Sequence, residues 1–298
     1  MTDKVILIVL DGLAYKIAEQ CMGFVQALGE QGQATLYKVQ CELPSMSRPL
    51  YETILTGMTP AVSGIVHNQV IRNSNQKSVF SLAREAGLST AAAAFHWFSE
   101  LYNESPYNAV RDRHTVDTEK LIQYGSFYHD GQYPDGHLYL DAELLRRRYD
   151  PDFLLVHPMS IDEAGHRSGL DSSHYRNTTR RSDKELSEYL PIWIEAGYQI
   201  IITADHGMNM DKSHGGSLTE ERDIPLYVIG DRFSHQADCL PKQTEICGVI
   251  CELLGLFGHS KPVTENLLLN EKLEQSEHKI IRGLGSYHRN HAVKLRSC

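Results

Sequence analysis

The sequence has no long apolar run at its start, no regular cysteine spacing and no excess of positive charge. The apolar run 5–10 is six residues long and ends at Asp11, which predicts a strand rather than a signal peptide or a membrane span. The six cysteines form no Cys-x-x-Cys pair, which predicts reduced thiols in a cytoplasmic protein. The net charge of −9 argues against a surface that binds a nucleic-acid polymer. We therefore expect a small-molecule partner and neither nucleic acid nor membrane.

The sequence does contain a sizeable core and many side chains that bind metals. Its 298 residues are 41% hydrophobic, which is enough for one large α/β domain. It also carries 15 histidines beside 38 acidic residues, and imidazole and carboxylate groups are the ligands that divalent metals use most in proteins. The composition thus raises the question of metal chemistry without answering it.

Short apolar runs alternate with longer segments of helical period, which is typical of βαβ units around a mostly parallel sheet sandwiched between helical layers. The predicted strands are 4–10, 34–41, 90–95, 153–157, 199–203 and 226–230. The predicted helices are 14–31, 79–86, 138–148, 175–196 and 245–256. This pattern predicts the α/β fold class.

The predicted domain organisation is one catalytic domain over residues 1–270. Residues 97–139 are rich in Tyr, Asn, His and Gly, and we expect them to form a small insert or lid over the sheet edge. Its tyrosines would stack on a substrate or pack the insert's own core. Residues 271–298 are polar and turn basic, which predicts a tail, or an arm through which a homo-oligomer would form.

Three predicted strands lead into acidic residues. The first ends at Asp11, the fourth runs toward Asp162, and the fifth ends at Asp205-His206. Because ligands of open α/β sheets bind at the carboxyl ends of the strands, these carboxylates are expected to meet at one edge.

Two further histidines extend this cluster. Asp162 and His166 are four residues apart, so on a helical turn they would face the same way and share a metal, although the spacing also suits an ordinary surface pair. His214, followed by two glycines, lies eight residues after His206 and completes the candidate ligand set.

Ser47 is the candidate nucleophile. It stands two residues before Pro49, where a helix is expected to begin, and a helix N-terminus stabilises an anion. The simpler alternative is a serine that only caps the helix.

Taken together, these motifs resemble the alkaline phosphatase superfamily, and within it the nucleotide pyrophosphatase/phosphodiesterase branch. The resemblance runs from residue 4 to about residue 230, with the motifs in family order. They are Asp11-Gly12, Ser47-x-Pro49, Thr53-x-x-Thr56-Gly57, Ser63-Gly64-Ile65, Asn68, Asp162-x-x-Gly165-His166, Asp205-His206-Gly207-Met208 and His214.

The resemblance implies a metal-dependent hydrolase that cleaves phosphodiester or pyrophosphate bonds of nucleotide-type substrates through a phospho-serine. Two divalent ions are implied, zinc by ligand type, although manganese or iron would also suit such ligands. Asn68 would donate to a phosphoryl oxygen. One metal would be held by Asp162, His166 and His214, and the other by Asp11, Asp205, His206 and the Ser47 oxygen.

The sequence departs from that branch at the nucleophile. The branch usually has threonine followed by phenylalanine, whereas this chain has Ser47 followed by Arg48. Arg48 would bind a second phosphoryl charge, or else face solvent or pair with an acid such as Glu52. The departure leaves a phosphomonoesterase or a phosphonoacetate-hydrolase-like enzyme as the alternative. A sulfatase is excluded because it needs arginine where this chain has Tyr51.

A non-catalytic binding protein that kept the fold is the third hypothesis. It is disfavoured because no implied metal-ligand position has been replaced.

Overall fold

The computed structural model describes residues 2–269, so the predicted tail 271–298 lies outside the described residues. Its central feature is an eight-stranded sheet with the order β2-β8-β7-β1-β6-β3-β5-β4. The strands are β1 (Lys4–Val9), β2 (Ala34–Gln40), β3 (Thr90–Phe95), β4 (His114–Val116), β5 (Tyr124–Tyr128), β6 (Phe153–Val156), β7 (Tyr198–Thr203) and β8 (Asp223–Ile229). The five consecutive strands from β7 to β5 are parallel, and β2, β8 and β4 complete the sheet through antiparallel pairs. The mostly parallel α/β fold is confirmed.

Two groups of helices cover the sheet. The helices are α1 (Tyr15–Cys21), α2 (Gly23–Glu30), α3 (Ser47–Thr56), α4 (Pro60–Ser63), α5 (Val79–Glu85), α6 (Trp97–Tyr102), α7 (Ala109–Asp112), α8 (Asp135–Tyr149), α9 (Ser160–Ser168), α10 (Ser173–Glu195), α11 (Thr219–Arg222) and α12 (Ile246–Leu253). Helix α10 packs with α1, α2, α8 and α9, while α12 packs with α3 and α5. The central strand β1 is buried from Val5 to Val9, as a strand covered on both faces must be.

The predicted helix 14–31 is two helices that meet at Met22. A carboxylate on α10 provides the reason, because Asp183 accepts hydrogen bonds from the amides of Phe24 (2.8 Å) and Val25 (3.2 Å). It thereby satisfies amides at the start of α2 that have no partner within the helix. A tertiary contact thus sets a helix start that periodicity alone does not reveal.

Residues 97–139 extend the sheet, whereas a separate lid above the sheet edge was expected. They contribute β5, which pairs with β3, and β4, which pairs with β5. Tyr107 donates to the carbonyl of Phe127 (2.8 Å) within the segment, whereas Tyr102 donates to Glu52 of α3 (2.8 Å), outside it. Tyr107 therefore follows the packing alternative, and Tyr102 joins the segment to α3.

Candidate metal centre

Three buried carboxylates meet where neighbouring strands end. Asp11 follows β1 and Asp205 follows β7, while Asp162 lies in the first turn of α9, after β6. Strands β7 and β6 are the two neighbours of β1. Asp11 and Asp205 are fully buried, and Asp162 is 9% exposed. The predicted convergence of these acids is what the sheet order produces.

The turn after β1 requires glycine. Gly12 has φ of +72°, and a Cβ there would lie 2.8 Å from the backbone of Asp162. Its amide donates to Asp205 Oδ1 at 3.1 Å. Gly12 therefore lets two of the carboxylates approach and fixes the orientation of one.

Three histidines present the same ring nitrogen to these acids. Nδ1 of His206 lies 2.8 Å from the Gly207 carbonyl, and Nδ1 of His214 lies 2.7 Å from the Ser45 carbonyl. Nδ1 of His166 lies 3.0 Å from a carbonyl oxygen in the same way. Since a carbonyl only accepts, each Nδ1 carries a proton, and Nε2 is the nitrogen with the lone pair when the ring is neutral. Such outer hydrogen bonds are those that orient metal-binding histidines.

The ligand atoms form two overlapping groups. Atoms of Asp11, Asp205 and His206 lie within 4.8 Å of one another, as do atoms of Asp162, His206 and His214. His166 Nε2 lies 3.2 Å from His214 Nε2 and 3.4 Å from Asp162 Oδ2. The structure thus brings six of the seven predicted ligands close together, with His206 shared by the two groups and His166 beside the group of Asp162 and His214.

The electrostatics of this cluster favour positive charge. Burial raises the pKa of Asp162 and Asp205 well above the usual value, and the charge of Asp11 raises both further. For Asp11, burial is outweighed by His157, His206 and Tyr51, so that its pKa falls to about 2. Among the described residues, Asp11 Oδ1, Asp162 Oδ1 and Asp205 Oδ2 are buried without a hydrogen-bond partner. Bare carboxylate oxygens in such a setting are costly unless a cation joins them.

The histidines fit the same cation. Burial lowers the pKa of His214 to about 3 and also lowers that of His206, so both rings are neutral at pH 7. Nε2 of His214 lies 3.2 Å from Nε2 of His166, so one cation can contact both nitrogens. Neutral imidazole and carboxylate oxygen are the donors that zinc and related divalent metals take. The residues present therefore fit a divalent metal centre.

Ser47 faces this centre. It is the first residue of α3, its Oγ lies 3.0 Å from His206 Nε2, and it is 6% exposed. The N-cap position of α3 belongs to Met46 and has no side-chain cap, so the alternative of a capping serine is wrong. Because His206 Nε2 has no proton, the Ser47 hydroxyl donates to it.

The two residues predicted to contact substrate differ in their positions. Asn68 accepts from the backbone amide of Arg48 at 3.0 Å, which leaves its NH₂ group as the free donor. The Arg48 side chain is 1% exposed, lies 4.5 Å above the Trp97 ring and pairs with Glu100 at 2.6 Å. Its partner is Glu100 and not Glu52. In this conformation the Arg48 side chain is buried and inaccessible to solvent, and its contact with a second phosphoryl charge stays a prediction.

Sequence reasoning missed two residues that contact Asp11. Tyr51 donates to Asp11 Oδ2, and His157 Nε2 lies 3.0 Å from the same oxygen. Two signals were available: His157 directly follows β6, and Tyr51 stands four residues after Ser47 on α3. Neither signal distinguishes such residues from ordinary core residues without the sheet order.

Residues 5–215 match the model of the family described as type I phosphodiesterase / nucleotide pyrophosphatase. The chain belongs to this family. It is thus a member of the alkaline phosphatase superfamily, as the motifs predicted, and family membership supports an enzyme that acts on phosphate esters.

Solved structures confirm the fold. Human ectonucleotide pyrophosphatase/phosphodiesterase 5 is 13% identical with a TM-score of 0.71, covering 90% of this chain and 100% of that one. The murine protein is 12% identical with a TM-score of 0.70, and the match covers 89% of this chain and 100% of the murine one. A 2-O GAG sulfatase shares the fold at 14% identity and a TM-score of 0.62, covering 87% of this chain and 72% of its own. Tyr51, where a sulfatase needs arginine, here binds Asp11.

The curated relatives correct the predicted compartment. Human GPI ethanolamine phosphate transferase 2, catalytic subunit, is 25% identical over 85% of this chain and 26% of its own length. Mouse GPI ethanolamine phosphate transferase 3, catalytic subunit, is 23% identical over 89% of this chain and 26% of its own length. The chain thus spans about a quarter of the length of these relatives.

Both are named for GPI, a glycolipid of membranes, which contradicts the prediction of a cytoplasmic protein and removes the support for excluding a membrane partner. Within residues 2–269, no helix has the length and apolar character needed to cross a bilayer.

Proposed function

We propose that the protein is a metal-dependent enzyme that cleaves a phosphodiester or pyrophosphate bond through a covalent phospho-Ser47 intermediate. The observation that carries this proposal is the Ser47 hydroxyl, which lies 3.0 Å from His206 Nε2 beside both groups of candidate metal ligands. The residue types and their buried, uncompensated oxygens favour two divalent ions, with zinc as the first choice.

The chain's own groups have definite roles in this reaction. Ser47 Oγ attacks phosphorus as its proton passes to solvent, the bond from phosphorus to the leaving oxygen breaks, and the leaving oxygen takes up the electron pair and a proton from solvent. Water then attacks the phosphorus of the phospho-serine, the bond from phosphorus to Oγ breaks, and a proton of that water restores the Ser47 hydroxyl as the product leaves. Asn68 donates from its NH₂ group to a non-bridging oxygen, and the N-terminus of α3 favours the negative charge. A divalent metal, when bound, supplies the charge that favours the serine alkoxide and the leaving oxygen.

The environment of Arg48 favours a diester over a monoester. A monoester carries one more negative charge, and Arg48 is the cation next to the nucleophile that would neutralise it. Its charge is instead balanced by Glu100 inside the protein, at 2.6 Å. The phosphomonoesterase and phosphonate hydrolase alternatives therefore lack the cation that motivated them.

A second candidate replaces water by an alcohol as the acceptor. The curated relatives are transferases of ethanolamine phosphate, and they match 85% and 89% of this chain. The same phospho-Ser47 intermediate serves both reactions, so the candidates differ only in the acceptor. In the transferase case the group carried by Ser47 would be ethanolamine phosphate.

The test compares aryl phosphate diester and monoester turnover by the metal-loaded protein. We expect a diester preference and its loss in Ser47→Ala. The matched control is Ser99→Ala, because the Ser99 hydroxyl is buried without a hydrogen-bond partner in the described structure and lies outside the centre. Full diester turnover by Ser47→Ala, or a monoester preference of the wild type, would overturn the proposal.

The acceptor is tested with the same diester in the presence of ethanol or glycerol. If transfer occurs, a phosphate ester of the added alcohol forms in proportion to the alcohol concentration, and it is absent in Ser47→Ala. Formation of the hydrolysis product alone would favour the hydrolase.

A further inference from the structure

The two oxygens of Asp11 have different surroundings. Oδ2 accepts hydrogen bonds from Tyr51 and from His157, whose Nε2 lies 3.0 Å away. Oδ1 has no hydrogen-bond partner among the described residues and lies 3.5 Å from His206 Nε2. One oxygen is therefore held by the protein while the other is left for the candidate metal position.

His157 is built into a rigid position. It directly follows β6, its backbone amide donates to the Ala93 carbonyl at 3.0 Å, and its side chain is fully buried. Its ring packs against the rings of Tyr51 and Phe98, with centroids 4.8 and 4.9 Å away. Since a carboxylate only accepts, Nε2 carries the proton that it donates to Asp11. The Nδ1 side of the ring faces the Tyr128 hydroxyl at 3.2 Å.

Tyr51 connects this arrangement to the nucleophile. It lies four residues after Ser47 on α3, so both side chains lie on one face of that helix. Its ring stacks on Phe98 with the centroids 4.4 Å apart, and its hydroxyl donates to Asp11. The same contacts therefore fix Asp11, the candidate metal ligand that follows β1, and the helix that carries Ser47.

We propose that His157 and Tyr51 are positioning residues that hold Asp11 Oδ2 so that Oδ1 points at the metal. This inference rests on the proposed metal centre. Loss of either donor frees the carboxylate to rotate or to turn both oxygens toward the metal, and weakens the metal site that Asp11 forms with Asp205 and His206. The group of Asp162, His206 and His214 shares only His206 with that site, and it is expected to keep most of its affinity.

The experiment measures zinc affinity of the metal-free full chain by competition with a chromogenic chelator. We expect His157→Leu to weaken one of two binding steps by about 10- to 100-fold, the usual effect of removing a group that orients a metal ligand. His157→Gln is expected to restore much of the affinity, because its amide NH₂ can occupy the place of Nε2. The control is His96→Leu, since His96 also directly follows a strand but contacts no candidate ligand.

Tyr51→Phe is the second variant, and it replaces His157→Leu in the experiment if that variant does not fold. It removes only the hydroxyl and leaves the ring stacked on Phe98, so the chain is expected to fold with weakened zinc affinity. Wild-type affinity in folded Tyr51→Phe or His157→Leu would overturn the inference while leaving the metal centre intact. A wild type that binds no zinc or other divalent metal would instead overturn the proposed function.

Discussion

Replacing Asp205 by asparagine should stabilise the metal-free protein. Asp205 is fully buried, and burial together with the charge of Asp11 raises its pKa well above the usual value. Asparagine keeps the oxygen that accepts from Gly12 and places an NH₂ donor near His206 Nε2, where the carboxylate oxygen stands at 3.1 Å. Asp205→Asn therefore removes a costly charge without losing its hydrogen bond.

The magnitude follows from the geometry. Ligand atoms of Asp11 and Asp205 lie within 4.8 Å, and two like charges at that distance repel by about 3.5 kcal/mol at an effective dielectric constant of about 20. The cost cannot exceed that of protonating the buried carboxyl at neutral pH, about 4 to 5 kcal/mol. We expect a gain of about 3 kcal/mol, which raises the unfolding temperature by about 5 °C for a chain of this size.

The assay is thermal unfolding of chelator-treated wild type and Asp205→Asn. Because the folded pKa of Asp205 is raised, its destabilising effect is absent below the unfolded pKa of 3.8, grows as the pH rises from 3.8 toward the folded pKa, and is fully present above the folded pKa. The advantage of asparagine should thus be largest at neutral pH and shrink toward pH 4. Zinc should stabilise the wild type and have less effect on the variant. A metal-free variant less stable than the metal-free wild type at pH 7.5 would refute the reasoning.

Two further substitutions test the contacts around the site. Glu100→Gln leaves Arg48 buried without a counter-charge and should cost about 3 to 5 kcal/mol in urea unfolding, and a loss below about 1 kcal/mol would show that the pair contributes little. Gly207→Ala places a Cβ 2.0 Å from the Glu220 carbonyl oxygen, so the backbone beside His206 must shift and both stability and zinc affinity should fall. Gly23→Ala is the matched control, because its Cβ meets no atom within 4 Å, and equal behaviour of the two variants would contradict the steric argument.

The carboxylate cluster was predictable from the local sequence. Each acid follows a strand with a clear apolar pattern, and the rule that ligands bind at the carboxyl ends of strands needs no knowledge of which strands are neighbours. Strand β5, Tyr-Gly-Ser-Phe-Tyr, was missed because it contains a glycine and its polar surroundings suggest a loop. Its identity as a strand depends on pairing with β3, which is a tertiary contact.

The residues that surround the candidate ligands were not predictable in the same way. Arg48 was expected to face substrate, but its partner Glu100 lies 52 residues later, and no local pattern marks that pair. His157 and Tyr51 likewise depend on β6 and α3 meeting beside β1. Candidate ligands thus follow from the local sequence, whereas the residues that orient them follow from packing.

The phospho-Ser47 intermediate can be observed by peptide mass spectrometry of the metal-loaded enzyme, quenched with acid during turnover of a bis-aryl phosphate. We expect an adduct of one aryl-phosphoryl group on the peptide that contains Ser47, with fragmentation assigning it to that residue, and no adduct in Ser47→Ala. A turning-over enzyme whose adduct lies on another residue, or that forms none while releasing the first product in a burst, would contradict it.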